Sequence, residues 1–436
     1  MQVQTSCVYA VESHAAPHRK MVPKLLGQLH TCWSTTLCIC RLEELWNALE
    51  NLSESCGDEV AFAALAALAA TASFAQSSVQ IDGILDAGYQ AIDYKGQKVN
   101  GIGNNGSSTS QINFRGTEDL GGGLKANFRV ETDWNTVSNK GNTGSVSTPV
   151  TAGQETVAAA SSFANAEIRV GLAGGFGAVD AGVVNYNTLG TYLTGQPFGT
   201  AIGGGFRALA VTDTTSVAAS AVRSDNSIKY VTPSFSGLTG SLYYAARQSK
   251  AVDMTATTTT AATVKSTSFS TSLGAYDMQG TTEVGVNYAN GPLAASFSSL
   301  KQDYNGVGAN AYTQTLNTLG ANYAIGAAKV FGLYQTNKKN DNSAKTEYYS
   351  LSASYTMGAT TLMAQVGQFE SKAGANNGKK SDLVGLGADY ALSKRTALYA
   401  RYEAIDDKAG VVANPGTLTG TNDKRTRTAI GVRHSF

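Results

Sequence analysis

RTRTAIGVRHSF, residues 425–436, decides how this chain reads. Arg427 and Arg433 fall on one parity of the stretch, and Ile430, Val432 and Phe436 fall on the other. A period of two is the signature of an extended strand, whereas a helix would scatter the same charges around its axis. A last strand with one wet face and one apolar face, ending on an aromatic carboxylate, has the form of the closing strand of a transmembrane β-barrel.

The composition fits that form. The chain has 436 residues, of which 15% are charged, with 47 Gly, 20 Tyr and only 7 Pro. A soluble protein of this length carries about a quarter charged residues. The mean hydropathy of -0.13 is too polar for a bundle of membrane helices. Low charge with abundant Gly, Ser, Thr and Tyr suits a sheet with lipid on one face and water on the other.

Cysteine divides the chain. All five Cys and three of the four His precede residue 57. The run VAFAALAALAATASFA, residues 60–75, is shorter than the about 20 residues that a membrane-spanning helix needs. It fits the apolar core of a secretory signal, with a small-x-small site at Ser73-Phe74-Ala75 and processing before Gln76. The residues ahead of it, SESCGDEV, are acidic where a signal peptide carries Lys or Arg. Residues 1–59 are therefore expected to be a non-native or mis-called N-terminal extension, and residues 76–436 the barrel. Removing residues 1–75 takes away four of the 33 basic and seven of the 32 acidic side chains, leaving a net charge of +4.

The mature part reads as repeated strand pairs. In KANFRVETDW, residues 125–134, Lys125, Asn127, Arg129, Glu131 and Asp133 share one parity, and Ala126, Phe128, Val130 and Trp134 the other. The segment AEIRVGL, residues 166–172, repeats the pattern with Glu167 and Arg169 opposite Ile168 and Val170. Short turn signals at EDLGGG, AGG, PSFSG, ANGP, AIGA, TMGA and LSK alternate with long loops near 93–108, 136–162, 185–222, 249–280, 303–311, 338–344, 371–380 and 406–424. Seven short turns and eight long loops predict an all-β, antiparallel transmembrane barrel of about sixteen strands, with short periplasmic turns and long external loops. Closure is obligatory, because an unpaired backbone group in hydrocarbon costs several kcal/mol.

Charge on the lipid face costs about 2–4 kcal/mol for Arg or Lys at the midplane. The polar parity therefore supplies candidate pore-lining residues: Arg115, Arg129, Arg169, Lys229, Arg401, Arg427 and Arg433 with Asp82, Glu131, Asp133, Glu167 and Glu403. Tyr89, Trp134, Tyr230, Tyr402 and Phe436 are expected outward near strand ends, where amphipathic rings favour headgroups.

Chemical motifs are scarce. GIGNNG, residues 101–106, matches the dinucleotide glycine pattern, but no helix is predicted after it, and the pattern needs a strand-turn-helix context. After residue 75 there is one His, His434, and no Cys, so a His-dependent triad or a His/Cys metal site lacks material. No catalytic residue, cofactor or metal is expected. The pairs Lys338-Lys339, Lys379-Lys380 and Lys424-Arg425 are too sparse for nucleic acid, though external charge suits contact with lipopolysaccharide.

QINFRGTEDLGGGLKAN (residues 111–127), EIRVGLAGGFG (167–177), RSDNSIKYVTPSFSGLTG (223–240), LSKRTALYARY (392–402) and the terminal GVRHSF resemble the Gram-negative trimeric porins of β-proteobacterial type. The resemblance covers nearly all of residues 76–436. It implies a sixteen-stranded general-diffusion porin of the outer membrane, usually a homotrimer, inserted by the barrel-assembly machinery through the strand ending at Phe436. It also implies a third external loop, about residues 185–222, that folds into the barrel and narrows it. The family commonly sets acids on that loop against bases on the wall. This copy offers Asp213 as the acid and Arg207 as a base, and AVDAGVVNY after GGFG has no base. A weak transverse field and a slight anion preference follow as expectations. Three functions stand at this point: a passive channel for ions and small hydrophilic solutes, an outer-membrane barrel enzyme, and an adhesin or secretion barrel.

Overall fold

The structure is a computed structural model that describes residues 78–94, 97–137, 163–206, 208–210, 222–246, 276–306, 312–374, 376–409 and 424–436. Among these residues seventeen strands form one antiparallel sheet. They are β1 (Ser78–Tyr94), β2 (Gln97–Asn104), β3 (Gln111–Gly121), β4 (Leu124–Asp133), β5 (Ile168–Gly174), β6 (Gly177–Asn185), β7 (Arg223–Val231), β8 (Leu238–Ala245) and β9 (Tyr276–Asn290). The rest are β10 (Leu293–Gly306), β11 (Tyr312–Ile325), β12 (Ala328–Lys339), β13 (Lys345–Met357), β14 (Thr360–Ser371), β15 (Lys380–Ala391), β16 (Thr396–Asp407) and β17 (Lys424–Ser435). Among the described residues one helix, α1 (Asn187–Thr194), follows β6.

Sixteen of these strands close a ring. β17 pairs with β1 from Arg425 opposite Tyr94 to Ser435 opposite Ile84. Phe436 then exchanges backbone hydrogen bonds with Gly83, so the last aromatic residue seals the seam. Strand β2 is the seventeenth. The first long loop, expected at 93–108, is a hairpin in which β2 pairs with Ala87–Tyr94, while β3 pairs with Ser78–Ile84 on the same edge of β1. Hairpin hydrogen bonds satisfy the top of that edge, which a bare loop would leave open.

All seven short turns lie where the turn signals place them, six of which carry Gly. Gly291, Gly326 and Gly358 take positive φ of 57°, 58° and 58° in tight connections. Strands such as β13, with 13 residues, exceed the about 9–11 needed to cross a bilayer at a tilt.

Burial is inverted relative to a soluble domain. Val79, Ile81, Leu242, Leu351, Val366 and Ile430 are exposed on the outer parity, whereas Glu283, Ser298, Gln314, Gln335 and Glu403 are buried on the inner one. A continuous apolar outer belt is stable only against lipid. Tyr89, Trp134 and Phe436 lie exposed on it. Tyr230 and Tyr402 are half-buried there, and the Tyr230 hydroxyl donates to the Phe176 carbonyl at 2.7 Å. His434 also points outward and shares a hydrogen bond of 2.9 Å with Thr396.

Candidate functional site

The third loop, between β6 and β7, enters the barrel. It opens with α1. The helix contains Thr188, Gly190, Thr191 and Thr194, all poor helix formers. Its N-cap residue, Tyr186, makes no side-chain capping bond. The wall supplies the cap instead. The Glu283 carboxylate on β9 accepts the Asn187 N–H at 2.5 Å and the Thr188 N–H and hydroxyl, each at 2.7 Å. A carboxylate at this end satisfies otherwise orphan N–H groups and complements the helix dipole. Thr191 and Asn187 add hydrogen bonds to Ser296 on β10 at 2.6 and 3.4 Å.

Close approach needs a wall without side chains. A Cβ at Gly320 would sit 2.1 Å from the Thr191 carbonyl oxygen, and one at Gly385 would sit 2.1 Å from the Gly203 carbonyl oxygen. Tyr186, Tyr192 and Leu209 of the loop then pack with Tyr243, Leu300, Tyr348, Phe369 and Ile405 of the wall in an apolar cluster inside the barrel. Burial pushes the Tyr186 phenol up to about 12, so it stays neutral and anchors the loop as a hydrogen-bonding ring.

Farther along, Gly203 and Gly205 adopt positive φ of 116° and 67°. Their N–H groups converge on Glu403 Oε2 at 3.1 and 3.2 Å. The other oxygen of Glu403 accepts Arg425 at 3.2 Å and Arg427 at 2.8 Å. The loop is therefore pinned by two buried carboxylates, Glu283 at the helix and Glu403 at the tip.

All twelve wall residues singled out in the sequence lie on the inner face, in two groups. In the first, Arg115 pairs with Asp82 at 2.5 Å, and Arg129 pairs with Glu131 at 2.5 Å and Glu167 at 3.0 Å. Arg169 pairs with Asp180 at 2.6 Å. Asp133 lies 4.0 Å from Arg223, and Lys229 donates to the Asn185 carbonyl at 2.9 Å. In the second, Arg401 pairs with Asp389 at 2.8 Å and donates to Ser107 at 2.9 Å, Arg433 donates to Ser108 at 3.4 Å, and Arg427 joins Glu403. Arg207 and Asp213 fall outside the described residues.

Sequence reasoning missed Asp86, Asp180, Arg223, Glu283, Asp389 and Arg425. Alternation was a sufficient signal for Arg425, which shares parity with Arg427. For Glu283 and Asp86 the parity was present, but their partners come from loops distant in sequence.

Between the groups lies a cavity of about 350 Å³. Arg129, Glu131, Asp133 and Arg223 line its charged side, Leu189 and Leu193 of α1 its apolar side, and Ser107, Ser108 and Thr109 its hydroxyl side. A closed barrel with an inserted loop and a polar, charged gap beside that loop is a constricted water path.

A sequence profile described as Gram-negative porin matches residues 61–410. The chain belongs to the Gram-negative porin family. It is 34% identical over 392 residues to outer membrane porin protein 32 of Delftia acidovorans, covering 86% of this chain and 98% of that protein. An outer membrane porin protein of Bordetella pertussis is 26% identical over 420 residues, again covering 98% of the relative. Among solved structures, the anion-selective porin from Comamonas acidovorans superposes with a TM-score of 0.64 at 28% identity, covering 83% of this chain and all of that one. This porin is an integral β-barrel of the outer membrane, and its interior is a channel for passive diffusion of ions and small hydrophilic solutes.

Proposed function

We propose that the channel prefers anions slightly and that the inward arginines set this preference. The observation that carries the reading is unequal access within the ion pairs. In Arg115–Asp82 the side chains are 52% and 26% exposed, in Arg129–Glu167 26% and 8%, and in Arg427–Glu403 23% and 1%. Formal charges balance in such pairs, but a permeating ion interacts with what reaches the water. The carboxylates of Asp86, Glu283 and Glu403 are moreover turned onto backbone N–H groups. Low-dielectric walls focus the field of the accessible guanidinium groups into the path. Arg401–Asp389 runs the other way, with the arginine the more buried partner, and Arg223–Asp133 is even. The solved relative named as anion-selective supports the same sign. Reversal potentials in planar bilayers under a salt gradient test it: anion selectivity that weakens as salt rises is expected, and cation selectivity refutes it.

The proposal includes a homotrimer, in keeping with the family resemblance, with Lys338-Lys339 and Lys379-Lys380 against lipopolysaccharide and insertion by the barrel-assembly machinery through the strand ending at Phe436; the third pair, Lys424-Arg425, drops out because Arg425 is buried on Glu403 inside the barrel. It also includes removal of residues 1–75. The family match begins only at residue 61. Intact mass of the protein from outer membranes checks the processing, and a mass that includes residues 1–59 contradicts it. The reading is of a non-enzymatic protein, since the relatives are named as porins.

A further inference from the structure

The residues between β2 and β3, Asn105–Ser110, do not stay at the rim. Ser107 and Ser110 are buried, a Cβ at Gly106 would strike the Tyr399 ring, and the Gly106 carbonyl accepts the Ile202 N–H of the third loop at 3.4 Å. Tyr399 is itself inward and buried, so this turn lies inside the barrel.

Asp86 holds it there. This fully buried residue of β1 sits at the fork where one edge of the strand passes from β3, paired through Ile84, to β2, paired from Ala87. Its Oδ2 accepts the N–H groups of Ser107 at 2.7 Å and Ser108 at 2.8 Å. Its Oδ1 accepts the Gly106 N–H at 3.2 Å and the Tyr399 hydroxyl at 2.6 Å. The backbone N–H of Asp86, left over at the fork, donates to Ser110 Oγ at 3.0 Å. Three successive N–H groups around one carboxylate make a filled anion nest, and removing the carboxylate would strand all three. The turn so held touches both parts of the site. Thr109 meets Thr200 of the third loop at 3.0 Å, and Ser107 and Ser108 receive Arg401 and Arg433.

We propose that the first loop is a second constriction element of the channel and that Asp86 is its positioning residue. Asp86 fixes Ser107, Ser108 and Thr109 as a hydroxyl wall of the water path, and Ser107 and Ser108 in turn hold the guanidinium groups of Arg401 and Arg433 behind it. The inference rests on the channel reading, and its test keeps the two apart. Asp86→Ala should raise single-channel conductance and admit larger sugars into liposomes, with Asp86→Asn, which keeps one acceptor oxygen, in between. A second variant decides the matter even where Asp86→Ala fails to fold. In Ser108→Cys, an anionic methanethiosulfonate should cut conductance about twofold or more, because it places bulk and charge in the path. The five native Cys all precede residue 57, and wild type treated identically controls for them. A conducting wild type beside a Ser108→Cys protein whose current is unchanged after labelling confirmed by mass would overturn the second constriction alone. A silent wild type would overturn the channel itself, and this proposal with it.

Discussion

Inside a barrel, what a side chain is bonded to matters more than its formal charge. Glu403 is 1% exposed yet ionic, because two arginines and two glycine N–H groups surround it. Replacing one partner of such a buried set costs about 3–5 kcal/mol, since it leaves uncompensated charge behind. Glu403→Gln is therefore expected to lower the temperature at which the heat-modifiable barrel unfolds on gels, and to increase anion selectivity as Arg425 and Arg427 lose their counter-charge. Arg129→Gln acts in the opposite sense: it removes an accessible cation beside the cavity, and the anion-to-cation permeability ratio should fall about twofold. An unchanged reversal potential would place Arg129 off the ion path.

The strands were legible and the loop elements were not. Lys125–Asp133 declares its two faces because every second side chain is charged, and the structure keeps that parity across the β3–β4 and β4–β5 ladders. Helix α1 had no such signal. NTLGTYLT has no capping bond of its own, and its helix owes its start to Glu283, nearly a hundred residues away. The hairpin strand β2 was hidden for a similar reason, since QKVNGIGN looks like loop until the edge of β1 is available to pair with it. Glu283→Ala leaves two helix N–H groups unbonded in a buried site, at about 1–3 kcal/mol. Single-channel records of this variant should show larger and noisier openings, as the loop loses its anchor. Gly320→Val should displace the same helix by bulk alone, since its side chain meets the Thr191 carbonyl, and should also alter conductance.

Across the whole molecule, one period-two pattern gives both the membrane face and the water path. A cation on the outer parity tests the first. Ile430→Arg, at a position 69% exposed between Ala429 and Gly431, should destabilise the barrel in lipid by up to about 2–4 kcal/mol, less near an interface. Equilibrium folding into phospholipid vesicles under urea measures that cost, and an equal cost for Ser354→Arg, at a half-buried position on the inner parity of β13, would erase the distinction between the faces. The resemblance of GTEDLGGGLKA and GVRHSF to the family predicted the fold correctly, whereas the width of the path is set by two loops whose anchors, Asp86 and Glu283, are acids that nothing in the strand pattern sets apart from their neighbours. Liposome swelling with sugars of graded size tests the central claim most directly. Swelling rates that fall steeply with solute size are predicted, and no swelling with even the smallest sugar would contradict the account.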